Sequence, residues 1–217
     1  MKGKIVLKVG GSLVSGDNLL PLCHTISSLG KRHSLLVVPG GGQYADLVRM
    51  HYRKYCLSES TSHLMAILAM EQQAYLLANL IPGSRMVHNP RAFAAGNTRG
   101  VFVWAGFSYL AHCDKLAASW EVTSDSMAAF VSCVVGAELL VLLKDQDGVL
   151  NADPRFSPGT SLIPRVTRKE LSRYRCTDSQ FARYLPPNTS CWVINGNQPQ
   201  RLIQLLDQGK TLGTEVV

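Results

Sequence analysis

The chain contains two strand-to-helix units in succession, and a run of glycines follows the strand in each. Lys4 to Val9 is a short aliphatic and β-branched run that stops at Gly10-Gly11-Ser12. Ser34 to Val38 repeats the strand, and Pro39-Gly40-Gly41-Gly42 ends it. Because a helical pattern follows each glycine run, the order strand, loop, helix favours a parallel sheet whose strands are connected by helices.

The same alternation continues to the end of the chain. Helical spacing is predicted over five ranges, which are Asp17 to Leu29, Gln43 to Tyr52, Ser62 to Leu80, Met127 to Val135 and Pro199 to Leu206. Further strands are predicted at Arg85 to His88, Val101 to Trp104, Glu138 to Leu143 and Cys191 to Ile194. Thr167 and Glu170 have capping-box spacing at the start of a helix over Lys169 to Tyr174, and Asn89 to Gly100 is predicted to be a polar loop. We therefore expect a three-layer α/β/α sandwich with a mostly parallel central sheet, in a single domain over residues 1–217, with ligands beyond the carboxyl ends of the strands.

Composition narrows the class of protein. With 46% hydrophobic and 17% charged residues, the chain is typical of globular rather than disordered proteins. No apolar run approaches the roughly 20 residues that span a bilayer, and the amino terminus turns to glycine too early for a signal peptide. The six cysteines are scattered without a CxxC pair, which indicates reduced thiols rather than a zinc cluster or disulfide framework. We expect a cytoplasmic protein with no membrane partner.

The net charge of +7 suits either a nucleic-acid surface or a site for anionic substrates. Lys and Arg are spread along the chain without a recognition motif, so we expect no nucleic-acid partner. The densest basic run, Arg49 to Tyr55, is open to two interpretations: a solvated helix face, or a lid or groove for phosphate.

Three motifs have the residue types that phosphoryl transfer needs. Lys8 lies near the end of a buried strand and directly precedes glycines whose N–H groups can approach an anion, although a lysine at a strand end can also extend to water. Gly40, Gly41 and Gly42 could hold a phosphate at the same sheet edge, or simply form a turn. Asp125 could orient lysines, or only cap a helix.

A third loop follows the strand that ends at Leu143. Lys144-Asp145-Gln146-Asp147-Gly148-Val149 leads to Asn151-Ala152-Asp153-Pro154, which is compatible with a nucleotide pocket or with a surface turn. The sequences GxxxxGK[ST] and GxGxxG are absent, so neither a Walker-type NTPase nor a dinucleotide-binding enzyme is supported.

The order KVGGS, PGGG, TSDS, KDQDGVLNADP, NG and GTEV resembles the amino acid kinase family over nearly the whole chain. That resemblance implies an ATP-dependent phosphotransferase, with Mg²⁺ carried mainly by the phosphates of ATP and no protein metal site. It implies that Lys8, Asp125 and Lys144 are catalytic, and that the phosphate-bearing acceptor binds at Gly40, Gly41 and Gly42. The residues implied to contact ATP are Gly10, Gly11, Ser12, Lys144, Asp145, Asp147, Gly148, Val149, Asp153 and Pro154.

One segment departs from the family pattern. Many members have a second catalytic lysine after the nucleotide loop, whereas Arg173 to Leu185 contains none. The resemblance leaves open whether Lys144 or an arginine replaces it, or whether Lys8 acts alone.

The helix Ser62 to Leu80 and the segment Cys176-Thr-Asp-Ser-Gln-Phe are most similar to the aminomethylfuran phosphate kinases of methanofuran biosynthesis, which convert a monophosphate to a diphosphate. UMP, isopentenyl phosphate and acetylglutamate are alternative acceptors, and a nucleotide- or oxoanion-binding storage protein is an alternative of another class. His63 resembles the acceptor-site histidine of isopentenyl phosphate kinases, but we interpret it as a helix-face residue. A homodimer or larger homo-oligomer is expected from the family.

Overall fold

The computed structural model describes residues 3–96, 98–152, 159–171, 173–174 and 176–217. Its strands are β1 Lys4–Val9, β2 Ser34–Pro39, β3 Arg85–Val87, β4 Gly100–Trp104, β5 Leu139–Lys144, β6 Arg165–Val166, β7 Ser190–Asn195 and β8 Thr214–Val216. They form one eight-stranded sheet in the order β3-β4-β2-β1-β5-β7-β8-β6. Every pair in it is parallel except β7 with β8. The predicted fold class is confirmed.

The helices cover both faces of this sheet. Their bounds are α1 Gly11–Val14, α2 Leu19–Gly30, α3 Gly42–Tyr55, α4 Glu59–Leu80, α5 Pro90–Ala95, α6 Phe107–Leu110, α7 Ser124–Val135, α8 Arg168–Leu171, α9 Phe181–Tyr184 and α10 Pro199–Gln208. None of the helices in the described residues is long and apolar enough to cross a membrane.

Side-chain alternation along the central strands produces two separate cores. Ile5, Leu7 and Val9 of β1 point to the face covered by α2 and α10, whereas Val6 points to the opposite face, where α7 packs. Lys8 follows Val6 by two residues and therefore lies on the α7 face. This alternation brings the lysine side chain toward the amino terminus of α7.

The direction in which successive strands are added to the sheet reverses at β1. The chain runs from β1 outward through β2 and then returns to β5 on the other side of β1. Ligands of such sheets bind in the crevice beyond the carboxyl ends of the strands that flank the reversal. Lys8, the two glycine runs and Lys144 all lie at this edge.

Three sequence-based expectations need correction. The stretch predicted as a polar loop contains α5, because Asn89 accepts a hydrogen bond from Arg91 N–H at 3.0 Å and Pro90 occupies the first helical position. The helix expected over Lys169 to Tyr174 ends at Leu171, although its capping box is present, with Thr167 Oγ1 donating to Glu170 at 2.7 Å. The short strands β6 and β8 were not predicted.

Candidate active site

Lys8 and Lys144 converge on one carboxylate, that of Asp125. Leu142 pairs with Lys8 across the β1–β5 ladder, and Lys144 follows Leu142 by two residues, so both lysines lie on the same face. Asp125 approaches from above, in the first turn of α7, where the helix dipole favours negative charge. Lys8 Nζ lies 2.8 Å from Asp125 Oδ1, and Lys144 Nζ lies 2.5 Å from Oδ2.

This Lys8–Asp125–Lys144 cluster is almost fully removed from solvent. Burial alone would raise the pKa of Asp125, but the ammonium groups of Lys144 and Lys8 outweigh it and lower the pKa to about 2. Burial lowers the pKa of Lys8, and Asp125 only partly opposes that effect. For Lys144 the balance is reversed, because Asp125 outweighs burial and the pKa is raised. Two lysines thus share one carboxylate, an excess of cationic groups that suits binding of a phosphoryl group.

The two glycine runs touch each other through their backbones. A Cβ added to Gly11 would lie 2.4 Å from Gly42 N, and one added to Gly40 would lie 2.6 Å from Gly11 N. Gly10 donates its N–H to Leu143 O at 2.9 Å, so the first loop is also fixed to β5. Side chains would fill the space between the loops, and this close backbone approach is what a phosphate cradle requires. The structure therefore places Gly10, Gly11, Gly40 and Gly42 together at the edge of the sheet where β1 ends after Lys8, with Ser12 exposed at the start of α1.

The loop after β5 is held by hydrogen bonds with residues of β7, α10 and β8. Asp147 accepts hydrogen bonds from Asn195 at 2.9 Å and Arg201 at 2.7 Å, which together lower its pKa. Val149 is fully buried, and its N–H donates to Thr214 Oγ1 at 2.8 Å. Asp145 is exposed, and Gly148 has a positive φ. Asp153 and Pro154, also predicted to contact ATP, lie outside the described residues.

A narrow cleft opens from Gly41 on the side away from that loop. Its walls come from α3, α4, α7 and the segment leading into α7. Its lining includes Arg49, His63 and Trp120, together with the hydroxyl residues Ser119, Thr123 and Ser124. The Arg49 guanidinium lies 5.5 Å from the centre of the Trp120 ring. Within the described part of the chain, Trp120 Nε1 is buried without a hydrogen-bond partner. A ligand with acceptor oxygens would satisfy that N–H group.

His63 lies on a helix face, as interpreted from the sequence, but that face is buried rather than solvated. The residue is 8% exposed and lines both the narrow cleft and a second cleft beyond it. Burial lowers the pKa of His63, opposed by a hydrogen bond with the backbone of Ser119. Sequence reasoning gave no reason to place His63 and Arg49 in one cleft, because they are on different helices.

The second cleft has a volume of about 250 Å³, and its walls combine Leu64, Leu110 and Leu116 with the polar residues Ser60 and His63. Asp114 is the one carboxylate among its lining residues, and it is exposed. The cleft therefore offers apolar contacts together with one acidic side chain.

The segment that departs from the family pattern contacts the amino terminus of α7. Asp178 Oδ2 accepts hydrogen bonds from Thr123 N at 3.0 Å, Thr123 Oγ1 at 2.6 Å and Ser126 N at 3.1 Å. Arg173 and Arg183 of the same segment are exposed. Among the described residues, the second cation at Asp125 is therefore Lys144.

No group of three or more His, Cys, Asp or Glu side chains that could hold a metal ion is present among the described residues. Asp125, the carboxylate nearest the glycine loops, is engaged by two lysines. All six cysteines are free.

Comparison with known proteins identifies the class. The model of the amino acid kinase family matches residues 3–184, so the chain belongs to this family and is a kinase. The chain is 23% identical to the [5-(aminomethyl)furan-3-yl]methyl phosphate kinase of Methanocaldococcus jannaschii, over 98% of this chain and 97% of that protein. It is 30% identical to the uridylate kinase of Hyperthermus butylicus, over 98% of this chain and 97% of that protein. The uridylate kinase structure from Archaeoglobus fulgidus superposes with a TM-score of 0.77 at 22% identity, covering 100% of both chains, and so shares the fold.

Proposed function

We propose that this kinase transfers the terminal phosphoryl group of ATP to the phosphate of a small phosphomonoester, [5-(aminomethyl)furan-3-yl]methyl phosphate, and forms the diphosphate. The observation that carries the proposal is the buried Lys8–Asp125–Lys144 cluster beside two touching glycine loops. Its excess of cationic groups lies where charge must be stabilised during transfer, and positioning with electrostatic stabilisation accounts for most catalysis of this reaction.

Each group of residues at the carboxyl ends of the strands then has one role in the proposed reaction. Lys8 and Lys144 bind the phosphoryl oxygens. Asp125 offsets the repulsion between the two ammonium groups and holds both in position. Gly10, Gly11 and Ser12 offer backbone N–H groups to the phosphates of ATP, while Asp145, Asp147, Gly148 and Val149 shape the loop beside them. Mg²⁺ would come bound to ATP and neutralise phosphate charge there. An acceptor that is already an anion needs no general base.

The narrow cleft at Gly41 is the proposed position of the acceptor phosphate. Arg49 supplies a cation, Trp120 Nε1 supplies an unpaired donor, and His63 would gain a proton more readily beside a bound anion. The loop Gly40 to Gly42 lies between this cleft and Lys8, so an acceptor held there would face the phosphoryl group.

The second cleft supports the aminomethylfuran acceptor over UMP. A furan ring would contact the leucine walls, and its aminomethyl group, cationic at neutral pH, would pair with Asp114. UMP brings a ribose and a uracil with several hydrogen-bonding groups but no cation. UMP is the second candidate acceptor, because this chain is 30% identical to the uridylate kinase of Hyperthermus butylicus.

Phosphoryl transfer from ATP with Mg²⁺ should be measured with aminomethylfuran phosphate, its analogue lacking the amine, UMP, isopentenyl phosphate and acetylglutamate. We expect diphosphate formation on the furan. Asp114→Asn should raise KM for the furan substrate up to about fivefold and leave KM for the analogue unchanged, since one ion pair at an exposed site is worth at most about 1 kcal/mol. ATP binding without transfer to any acceptor would favour the storage protein instead.

Arg49→Ala tests the acceptor cleft, and Arg53→Ala is its matched control. Both residues are on α3, but Arg53 is exposed and lies one turn further from the cleft. We expect a rise in acceptor KM of at least about tenfold for Arg49→Ala, because a charged hydrogen bond is worth roughly 1.5–3 kcal/mol. Equal effects of the two variants would contradict this position for the phosphate.

We further propose a cytoplasmic homodimer, in line with the family expectation. Leu47 and Met50 of α3 and Leu68 of α4 are exposed large apolar side chains, which a second copy would cover. Light scattering coupled to size-exclusion chromatography distinguishes the dimer mass from the 23.7 kDa of one chain.

A further inference from the structure

Asp178 makes an unusually complete set of contacts with the start of α7. Besides the three bonds to Oδ2, its Oδ1 accepts from the Ser126 hydroxyl and from Gln180 N. The carboxylate therefore binds residues on both sides of Asp125, one before it and one after it in the chain. Such a set satisfies two of the free N–H groups that a helix start presents.

These bonds restrict where the Asp125 side chain can lie. Thr123 is the N-cap of α7, and its Oγ1 both donates to Asp178 and lies 3.4 Å from Asp125 N. Fixing Thr123 and Ser126 restricts the backbone of the two residues between them, Ser124 and Asp125. Asp125 has to contact two ammonium groups at once, so a small rotation of this turn would break one of the two ion pairs.

Asp178 also lies near enough to Lys144 to favour its charged form, as one of several contributions that raise the Lys144 pKa. Among the described residues, Asp178 forms no ion pair with Lys8 or Lys144, and its hydrogen bonds there go to backbone and hydroxyl groups. Apart from this electrostatic contribution to Lys144, its effect on the reacting groups passes through Asp125.

We infer that Asp178 is a positioning residue, which holds the α7 turn so that Asp125 can bridge Lys8 and Lys144. The inference rests on the proposed kinase function. It gives a role to the segment that lacks the expected second lysine: this segment supplies an anchor for Asp125, while Lys144 supplies the cation.

The test compares steady-state kinetics of Asp178→Ala with those of the wild type. We expect kcat to fall about 100-fold, as for a displacement of about 1 Å at a reacting group, with both KM values within about threefold. Asp178→Asn, which keeps one acceptor oxygen, should recover part of the loss. The double variant Asp125→Ala, Asp178→Ala should have a kcat within about threefold of that of Asp125→Ala alone. A residue that acts through Asp125 has nothing left to position once the Asp125 carboxylate is removed.

Glu170→Ala is the matched control. Glu170 is also a carboxylate that caps a helix start, accepting from Thr167 N at 3.0 Å, but the helix is α8. Its removal should leave kcat unchanged. A wild-type kcat in Asp178→Ala, or a full additional loss in the Asp125→Ala background, would overturn the inference.

A crystal structure of Asp178→Ala separates this inference from the proposed function. We expect at least one of the two lysine contacts of Asp125 to lengthen beyond 4 Å, the limit for an ion pair, and Asp178→Asn serves if the alanine variant does not fold. If the wild type transfers no phosphoryl group, the proposed function fails, but this distance still decides the positioning role. Unchanged contacts in the variant would refute it.

Discussion

The contact between the two glycine loops predicts a large effect from one methyl group. In Gly11→Ala the new Cβ would lie 2.4 Å from Gly42 N and 2.6 Å from Gly42 Cα, whereas ordinary contacts begin at 3.4 Å. The loops must therefore separate by about 1 Å, since both neighbours are backbone atoms that cannot rotate away. A displacement of that size at a reacting site costs about 100-fold in rate.

The assay is phosphoryl transfer under saturating ATP and acceptor, beside thermal unfolding. Gly11→Ala should lower kcat about 100-fold, and relieving the clash should cost a further 1–3 kcal/mol of stability, or roughly 2–12 °C in Tm. Gly136→Ala is the control, because Gly136 has a φ of +63° with nothing within 4 Å of its added Cβ. It should lose about 1 kcal/mol of stability and no activity. Normal kcat for Gly11→Ala would refute the argument that the loops must touch.

Three further predictions concern charge. Lys8→Ala should lower kcat by at least about 100-fold with the fold intact, measured by the same assay and by circular dichroism, and near-normal turnover would remove its assigned role. Burial lowers the pKa of Lys8, whereas the pKa of Lys144 is raised, so loss of the Lys8 proton should reduce activity at a pH below the ordinary lysine pKa of 10.5. Lys8→Arg should move this alkaline fall in activity to higher pH. If the fall stays at the same pH, it belongs to another group. The depressed pKa of Asp125 contributes stability that is present above the ordinary pKa of 3.8 and is lost as pH falls toward about 2. Acid unfolding should thus shift in Asp125→Asn, and an identical acid profile would contradict the ion pairs.

The central strands and the long helices were predictable because their signals are local. β1 and β2 are continuous buried runs stopped by glycines, and α4 is a long stretch without Gly or Pro. The short strand β8 has no such signal, since Thr214 to Val216 becomes a strand only by pairing with β7. The Asn89-Pro90 helix start was present in the sequence, but the helix it begins is only six residues long.

For the site, sequence order identified the residues that strand ends and helix starts bring together. Lys8, Lys144 and Asp125 meet because of alternation along two neighbouring strands and one helix start. Arg49, His63 and Trp120 come from three separate parts of the chain, and their meeting depends on how α3 and α4 pack. Asp178 was part of a segment noted for its resemblance, but only the structure reveals its hydrogen bonds to the start of α7.

The most direct test of the account is to incubate the wild type with ATP, Mg²⁺ and aminomethylfuran phosphate and to follow the phosphorus species by ³¹P NMR. The account predicts that a diphosphate on the furan appears in amounts equal to the ADP formed, and that Lys8→Ala forms neither at a comparable rate. Transfer to UMP alone would keep the kinase chemistry and replace the acceptor. ATP that is bound but never consumed with any acceptor would contradict the claim that the Lys8–Asp125–Lys144 cluster transfers phosphoryl groups.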